Sequence, residues 1–123
     1  MTSNLRKTWS NAKNHAIKNG LPADFLPKNK LGPKLDKAEK SYDAYTDYTG
    51  QDKIDSLKKA AQKAVSDADN EASKYLKLIH MGVKGNNDHK LHKALHDLET
   101  VLSMKVIHEL NGYAKFLHGG KKP

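Results

Sequence analysis

The chain has 123 residues, a formal net charge of +8 and no cysteine. A chain of this length predicts a single domain (residues 1–123) with a modest core, and the missing cysteines exclude disulfides, thiolate zinc sites and a thiol nucleophile. No stretch approaches the roughly 18 apolar residues of a membrane span, and the N-terminus lacks the apolar segment of a secretory signal, so we expect a cytoplasmic protein.

The first predicted helix covers about residues 3–19. Ser3 or Asn4 can cap its N-terminus, and Gly20 ends it. Its apolar residues recur at helical spacing. They are Leu5, Trp9, Ala12 and Ala16.

The first quarter of the chain carries most of the basic excess. Residues 1–34 contain seven Lys and Arg residues against one acid, Asp24. Such a block suits nucleic acid, an anionic membrane or an acidic protein surface. A solvated lysine face that only keeps the protein soluble is the favoured interpretation, because the block has one arginine and no row of exposed aromatic residues. The candidate basic surface consists of Arg6, Lys7, Lys13, Lys18, Lys28, Lys30 and Lys34.

Residues 20–33 separate the first helix from the second. Three prolines and two glycines exclude a helix here. Its apolar residues, among them Leu21 and Phe25, predict an ordered crossover that lies over one end of a bundle. The second helix is expected over about residues 34–49, because Pro33 suits a first helical turn. On this helix Tyr42 and Tyr45 should face the core, which argues against a stacking platform for bases.

The last two predicted helices are long, about residues 52–82 and 88–118. The third, with Asp52 as its expected cap, has an alanine-rich seam that allows a close neighbour. The fourth has Asn87 or Asp88 as its cap and is followed by a frayed tail at 119–123. Its apolar residues are spaced by three or four along a single stripe. They are Leu91, Leu95, Leu98, Leu102, Val106, Leu110, Tyr113 and Leu117.

These patterns predict an all-α fold, a four-helix bundle. In it, a long antiparallel hairpin of the third and fourth helices is covered by the two shorter helices.

Histidines are the unusual feature of the last helix. His89, His92 and His96 share one flank of the stripe, and Glu99 follows by one turn. His92, His96 and Glu99 are therefore candidate ligands for zinc or nickel. The HExxH order of metalloproteases is absent, so ordinary surface histidines are the favoured alternative.

The segment His80 to Gly85 partly resembles the phospho-accepting motif of histidine phosphotransfer domains, which are also four-helix bundles. In that family a Lys-Gly pair begins three residues after the histidine, whereas here Lys84 comes four residues after His80. Gly82 further indicates that the helix has already ended at this point. The resemblance covers only these few residues.

Other catalytic signals are missing. The sequence has no phosphate-binding glycine loop and no paired carboxylates in an expected cleft, so we expect neither an enzyme nor a cofactor. Two hypotheses remain. The first is a non-catalytic protein-interaction or assembly module that binds a protein partner or a second copy of itself. The alternative is a nucleic-acid-associated protein that uses the basic N-terminal quarter, although no recognition helix of the helix-turn-helix kind is visible.

Overall fold

The computed structural model describes residues 4–26, 30–85 and 88–119, and every regular element in these ranges is helical. Helix α1 spans Leu5–Lys18, α2 spans Leu31–Asp47 and α3 spans Ile54–Lys84. The last rod consists of α4 (His89–Val101), a π-helical turn (Leu102–Ile107) and α5 (His108–Leu117). The predicted all-α bundle is confirmed. None of the helices in the described part of the chain is long and apolar enough to cross a membrane.

Helix α3 and the last rod, together the two long rods, form an antiparallel hairpin. His80, near the end of α3, contacts Glu99 of α4, whereas Gln62, in the first half of α3, bonds the backbone carbonyl of Leu117. Helix α2 packs along α3, and α1 packs against both α2 and α4. The two short helices therefore cover the hairpin, as the sequence predicts.

The apolar stripe of the last rod supplies much of the core. Seven of its eight predicted members are buried, and Leu91 is half-buried. Trp9 is buried too, and its ring packs against Tyr75 of α3 with the ring centres 5.9 Å apart. Tyr42 of α2 stacks on Tyr113 of α5 at 4.2 Å, so this tyrosine faces the core as expected.

The π-helical turn keeps this stripe facing the core. From Leu98 the buried residues Leu102, Val106 and Leu110 follow at three successive steps of four. In an uninterrupted α-helix these twelve residues would drift by about 120° around the axis, at about 100° per residue. A π-helical turn holds one extra residue and so removes most of that drift. The turn therefore allows all four side chains to remain buried.

The alanine seam of α3 faces its neighbours as predicted. Ala61, Ala68 and Ala72 are completely buried and Ala64 is 4% exposed. Helix α2 packs against α3 more extensively than any other pair of elements. Small side chains at these positions allow the two backbones to approach closely.

Buried carboxylates help to hold the short helices in place. Glu39 of α2 is buried and accepts a hydrogen bond from the backbone N–H of Leu5, the first residue of α1. Asn4 also caps α1, by accepting from the Lys7 N–H at 3.0 Å. A carboxylate at a helix N-terminus satisfies a free N–H group and interacts favourably with the helix dipole. This contact joins α1 to α2.

The boundaries of two helices differ from the prediction. Helix α2 begins at Leu31, inside the predicted crossover 20–33, because Pro33 occupies its first turn, where a missing N–H is tolerated. The prediction that Asp52 caps α3 is wrong. Its carboxylate accepts from the Tyr48 hydroxyl, and α3 starts at Ile54 without a side-chain cap.

The described part of the crossover packs on the end of the bundle. Leu21 and Leu26 are buried, and the ring of Phe25 lies against Gly82 of α3. A Cβ at residue 82 would be 2.8 Å from Phe25 Cζ, so glycine is required for this approach. Residues 27–29 of the crossover and 120–123 of the predicted frayed tail lie outside the described residues.

Candidate functional site

A groove between the two long rods forms a cavity with a volume of about 500 Å³. We refer to it as the hairpin groove. Its α3 wall is formed by one face of the last two turns, and its other wall combines α4 with the first residues of the π-helical turn. The lining residues are Leu76, Lys77, His80, Glu99, Thr100, Ser103 and Met104.

A histidine–carboxylate pair bridges the hairpin groove. His80 Nδ1 lies 2.7 Å from Glu99 Oε2, with 54% and 22% of the respective side chains exposed. Glu99 occupies the less exposed side of the pair, so the carboxylate orients the imidazole from the groove wall. The contact also fixes the spacing of α3 and α4 at this level.

Exposed methionines mark the same region. Met81 and Met104 are 68% and 69% exposed, the highest values among the large apolar side chains described. Met104 lies in the π-helical turn and lines the groove, and Met81 directly follows His80. Single π-helical turns within α-helices occur frequently at functional sites, and flexible methionines suit adaptable binding surfaces.

A second groove runs between α1 and α4, and we call it the α1–α4 groove. Two adjoining cavities of about 480 and 380 Å³ share His15, Ala94 and Asp97. The first lies at the α4 N-terminus. Its other lining residues are Asn19, His89, Lys90 and Lys93. The second follows α1 toward its own N-terminus. Its other lining residues are Thr8, Asn11, Ala12, Leu98, Val101 and Lys105.

A third, small cavity of about 150 Å³ lies between α3 and α5 and contains Asp69. Asp69 Oδ1 is buried and has no hydrogen-bond partner among the described residues, and burial raises the pKa of this carboxyl above its ordinary value. Nearby polar groups include Ser66 and Asn111. This cavity is a polar defect of the packing, since it is much smaller than the hairpin groove and than both cavities of the α1–α4 groove.

Two cations of the predicted basic surface lie beside carboxylates of other helices. Arg6 lies 3.9 Å from Asp36, and Lys34 lies 3.7 Å from the buried Glu71. Carboxylates therefore offset two of its seven cations. Among the described residues, the other four have no such partner: Lys7, Lys18 and Lys30 are exposed and Lys13 is half-exposed. Lys28 lies outside the described residues.

The three histidines of the predicted metal flank are all exposed residues of α4. Of the three, His89 also lines the α1–α4 groove. Glu99 contacts His80. Within residues 4–26, 30–85 and 88–119 no three His, Asp or Glu side chains lie close enough together to hold a metal ion. Metal binding by His92 and His96 stays a prediction.

Helix α3 ends farther along the chain beyond His80 than the sequence predicts. Helix α3 continues through Gly82 and ends at Lys84, two residues beyond the predicted end. The expectation that the helix has ended by Gly82 is therefore wrong, because this glycine is held in the helix by close packing against Phe25 and Leu95.

Comparison with known proteins finds no family model that matches the chain, no similar curated protein and no similar solved structure. The fold and its two main grooves define a basic helical bundle with two candidate binding surfaces. Its function is therefore inferred from its own residues.

Sequence reasoning missed the hairpin groove. His80 and Glu99 were identified separately, each in a different hypothesis, because they are nineteen positions apart and helical periodicity relates only near neighbours. The available signal was the register of an antiparallel hairpin, which brings the end of one helix beside the start of the next.

Proposed function

We propose that this protein is a non-catalytic interaction module that binds a helical segment of a partner protein in the hairpin groove. The observation that carries the proposal is that an exposed methionine on a π-helical turn lines a cavity of about 500 Å³. Exposed apolar side chains beside a groove are typical of surfaces that a partner covers.

The shape of the hairpin groove suits an amphipathic helix. The groove lies between two antiparallel helices, and a third helix can place an apolar row between them. Leu76 is half-buried and packs on the core, so it offers a fixed contact, whereas Met104 can adjust to the partner.

The polar rim indicates what should flank that apolar row. Lys77 is exposed on the rim, while Glu99 is already in contact with His80, its Oε2 lying 2.7 Å from His80 Nδ1. A partner helix with a carboxylate beside its apolar face would pair with Lys77. We therefore propose an amphipathic, acidic helix as the partner segment. A chain without cysteine suits the reducing cytoplasm, the compartment that this proposal assumes.

Photo-cross-linking tests this proposal. A benzophenone amino acid replaces Met104 in one variant and Lys59, an exposed residue in the first half of α3, in a control. We expect the residue-104 variant, in extracts of the source cells, to capture a protein that the residue-59 variant does not. Met104→Glu should abolish binding of the captured segment, whereas Lys59→Glu should leave it unchanged. Equal capture at both positions, or binding that survives Met104→Glu, would refute the proposal.

Nucleic-acid association is the second candidate function, supported by the net charge of +8 and by the exposed Lys7 and Lys18. It is the weaker candidate because Arg6 and Lys34 are engaged by carboxylates. If it holds, binding should be independent of sequence and fall with salt, with a log–log slope of about −0.9 per phosphate contacted on duplex DNA. Replacing Arg6, Lys13 and Lys18 by Gln should lower both affinity and slope. No retention on DNA at roughly 150 mM salt would reject it.

A further inference from the structure

The wider end of the α1–α4 groove gathers cationic and hydrogen-bonding groups from two helices. Lys90 and Lys93 come from the first two turns of α4, and His15 and Asn19 come from the end of α1. Neither lysine forms an ion pair with a described residue. These cations are therefore available to a ligand in the cavity of about 480 Å³.

The α1 side of this cavity is organised by a local contact. Asn19 Nδ2 donates to the backbone carbonyl of His15 at 2.8 Å and lies 3.4 Å from His15 Nε2. The amide and the imidazole are thus held together on the cavity wall. The first N–H groups of α4 do not contribute, because the Asp88 side chain accepts from the Lys90 and Leu91 N–H groups. Side chains must therefore carry any recognition here.

We propose that this end of the α1–α4 groove binds a compact phosphate anion. The two ammonium groups supply several donors, and hydrogen bonds from charged donors to phosphate are the stronger kind. The Asn19 amide holds the His15 ring in place on the opposite wall. A volume of about 480 Å³ lies within the usual range of small-molecule sites. The site is independent of the hairpin groove, and its test is independent of the partner proposal.

The position of Asp97 favours a compact anion over an extended nucleic-acid strand as the ligand. It lines both cavities, so its carboxylate lies where they meet and repels a chain of phosphates that follows the groove. Neither cavity has a Phe, Tyr or Trp lining residue on which bases could stack. The ligand should therefore occupy only the end with Lys90 and Lys93.

Calorimetric titration with inorganic pyrophosphate at a fixed, roughly physiological salt concentration tests the site. We expect the Lys90→Gln, Lys93→Gln double variant to weaken binding by about tenfold or more, as expected for two lost charged hydrogen bonds. Lys58→Gln with Lys59→Gln on α3 removes the same charge far from the groove and should leave the affinity unchanged.

A second pair of variants tests for a gain in pyrophosphate affinity. Asp97→Asn should tighten pyrophosphate binding by roughly threefold, because a repulsive carboxylate is removed. Asp55→Asn on α3 changes the net charge equally and should have no effect. If both acid variants, or both lysine pairs, behave alike, binding is general attraction to a basic protein and the proposal is overturned. Tighter binding of a DNA oligonucleotide than of pyrophosphate would also overturn it, by assigning the groove to nucleic acid.

Discussion

Deleting Ser103 tests whether the π-helical turn exists to align the apolar stripe. Ser103 is an exposed residue of the turn. Its deletion shortens the separation between Leu98 and Leu110 from twelve positions to eleven, which gives a drift of only about 20° in a regular α-helix. The turn can then become α-helical without exposing any buried leucine. We expect the free energy of unfolding to change by less than about 1 kcal/mol, since no large side chain leaves the core.

Deleting Ser66 provides the matched control. Ser66 is also exposed, but it lies in the regular helix α3, where no extra residue is present. Its loss rotates the rest of α3 by about 100° and removes Tyr75 and Ile79 from the core. At about 1.5–3 kcal/mol for each large side chain, the loss is on the order of 3–6 kcal/mol, a large part of the stability of a small domain. Urea unfolding followed by circular dichroism measures both. Equal destabilisation by the two deletions would refute this explanation of the turn.

Three further predictions follow from the packing and from the titrating groups. Ala64→Leu should overpack the seam between α3 and its neighbours and lower the free energy of unfolding by about 1–3 kcal/mol in urea; a change below about 0.5 kcal/mol would show that the site is open. Asp69→Asn should raise the melting temperature at pH 7. Burial raises the pKa of Asp69 above its ordinary value of 3.8, so the folded state holds this proton more tightly than the unfolded state. Wild-type stability therefore falls as the pH rises from 3.8, the ordinary pKa, through the folded-state pKa. The gain should therefore vanish in acid, and a gain that is constant with pH would contradict the assignment. Replacing His92 and His96 by alanine should abolish any rise in melting temperature that zinc produces; if zinc does not stabilise the wild type, the two are ordinary surface histidines.

Local periodicity predicted the fold well but could not predict where a helix departs from regular geometry. The stripe from Leu91 to Leu117 identified the buried face, because each member is within four residues of the next. The same spacing held the signal for the π-helical turn, since three consecutive steps of four between Leu98 and Leu110 exceed what an α-helix accommodates on one face. Reading each step separately hides this accumulated drift.

The candidate sites were harder to predict because they are formed by residues distant in sequence. Charge counting grouped Arg6 and Lys34 into one basic block, but each meets an acid on another helix that composition does not reveal. Likewise, Lys90 and Lys93 were not singled out, although the structure places them opposite His15 of α1. Helical periodicity predicts which face is buried, whereas the pairing of helices decides which charges meet.

Hydrogen–deuterium exchange with and without the captured partner segment tests the central claim most directly. The account predicts slower exchange of backbone amides in both walls of the hairpin groove, residues 76–80 of α3 and 99–104 of the last rod, because a docked helix excludes water and limits local opening there. Slower exchange confined to α1 and the first turns of α4, or no change in either wall, would contradict it.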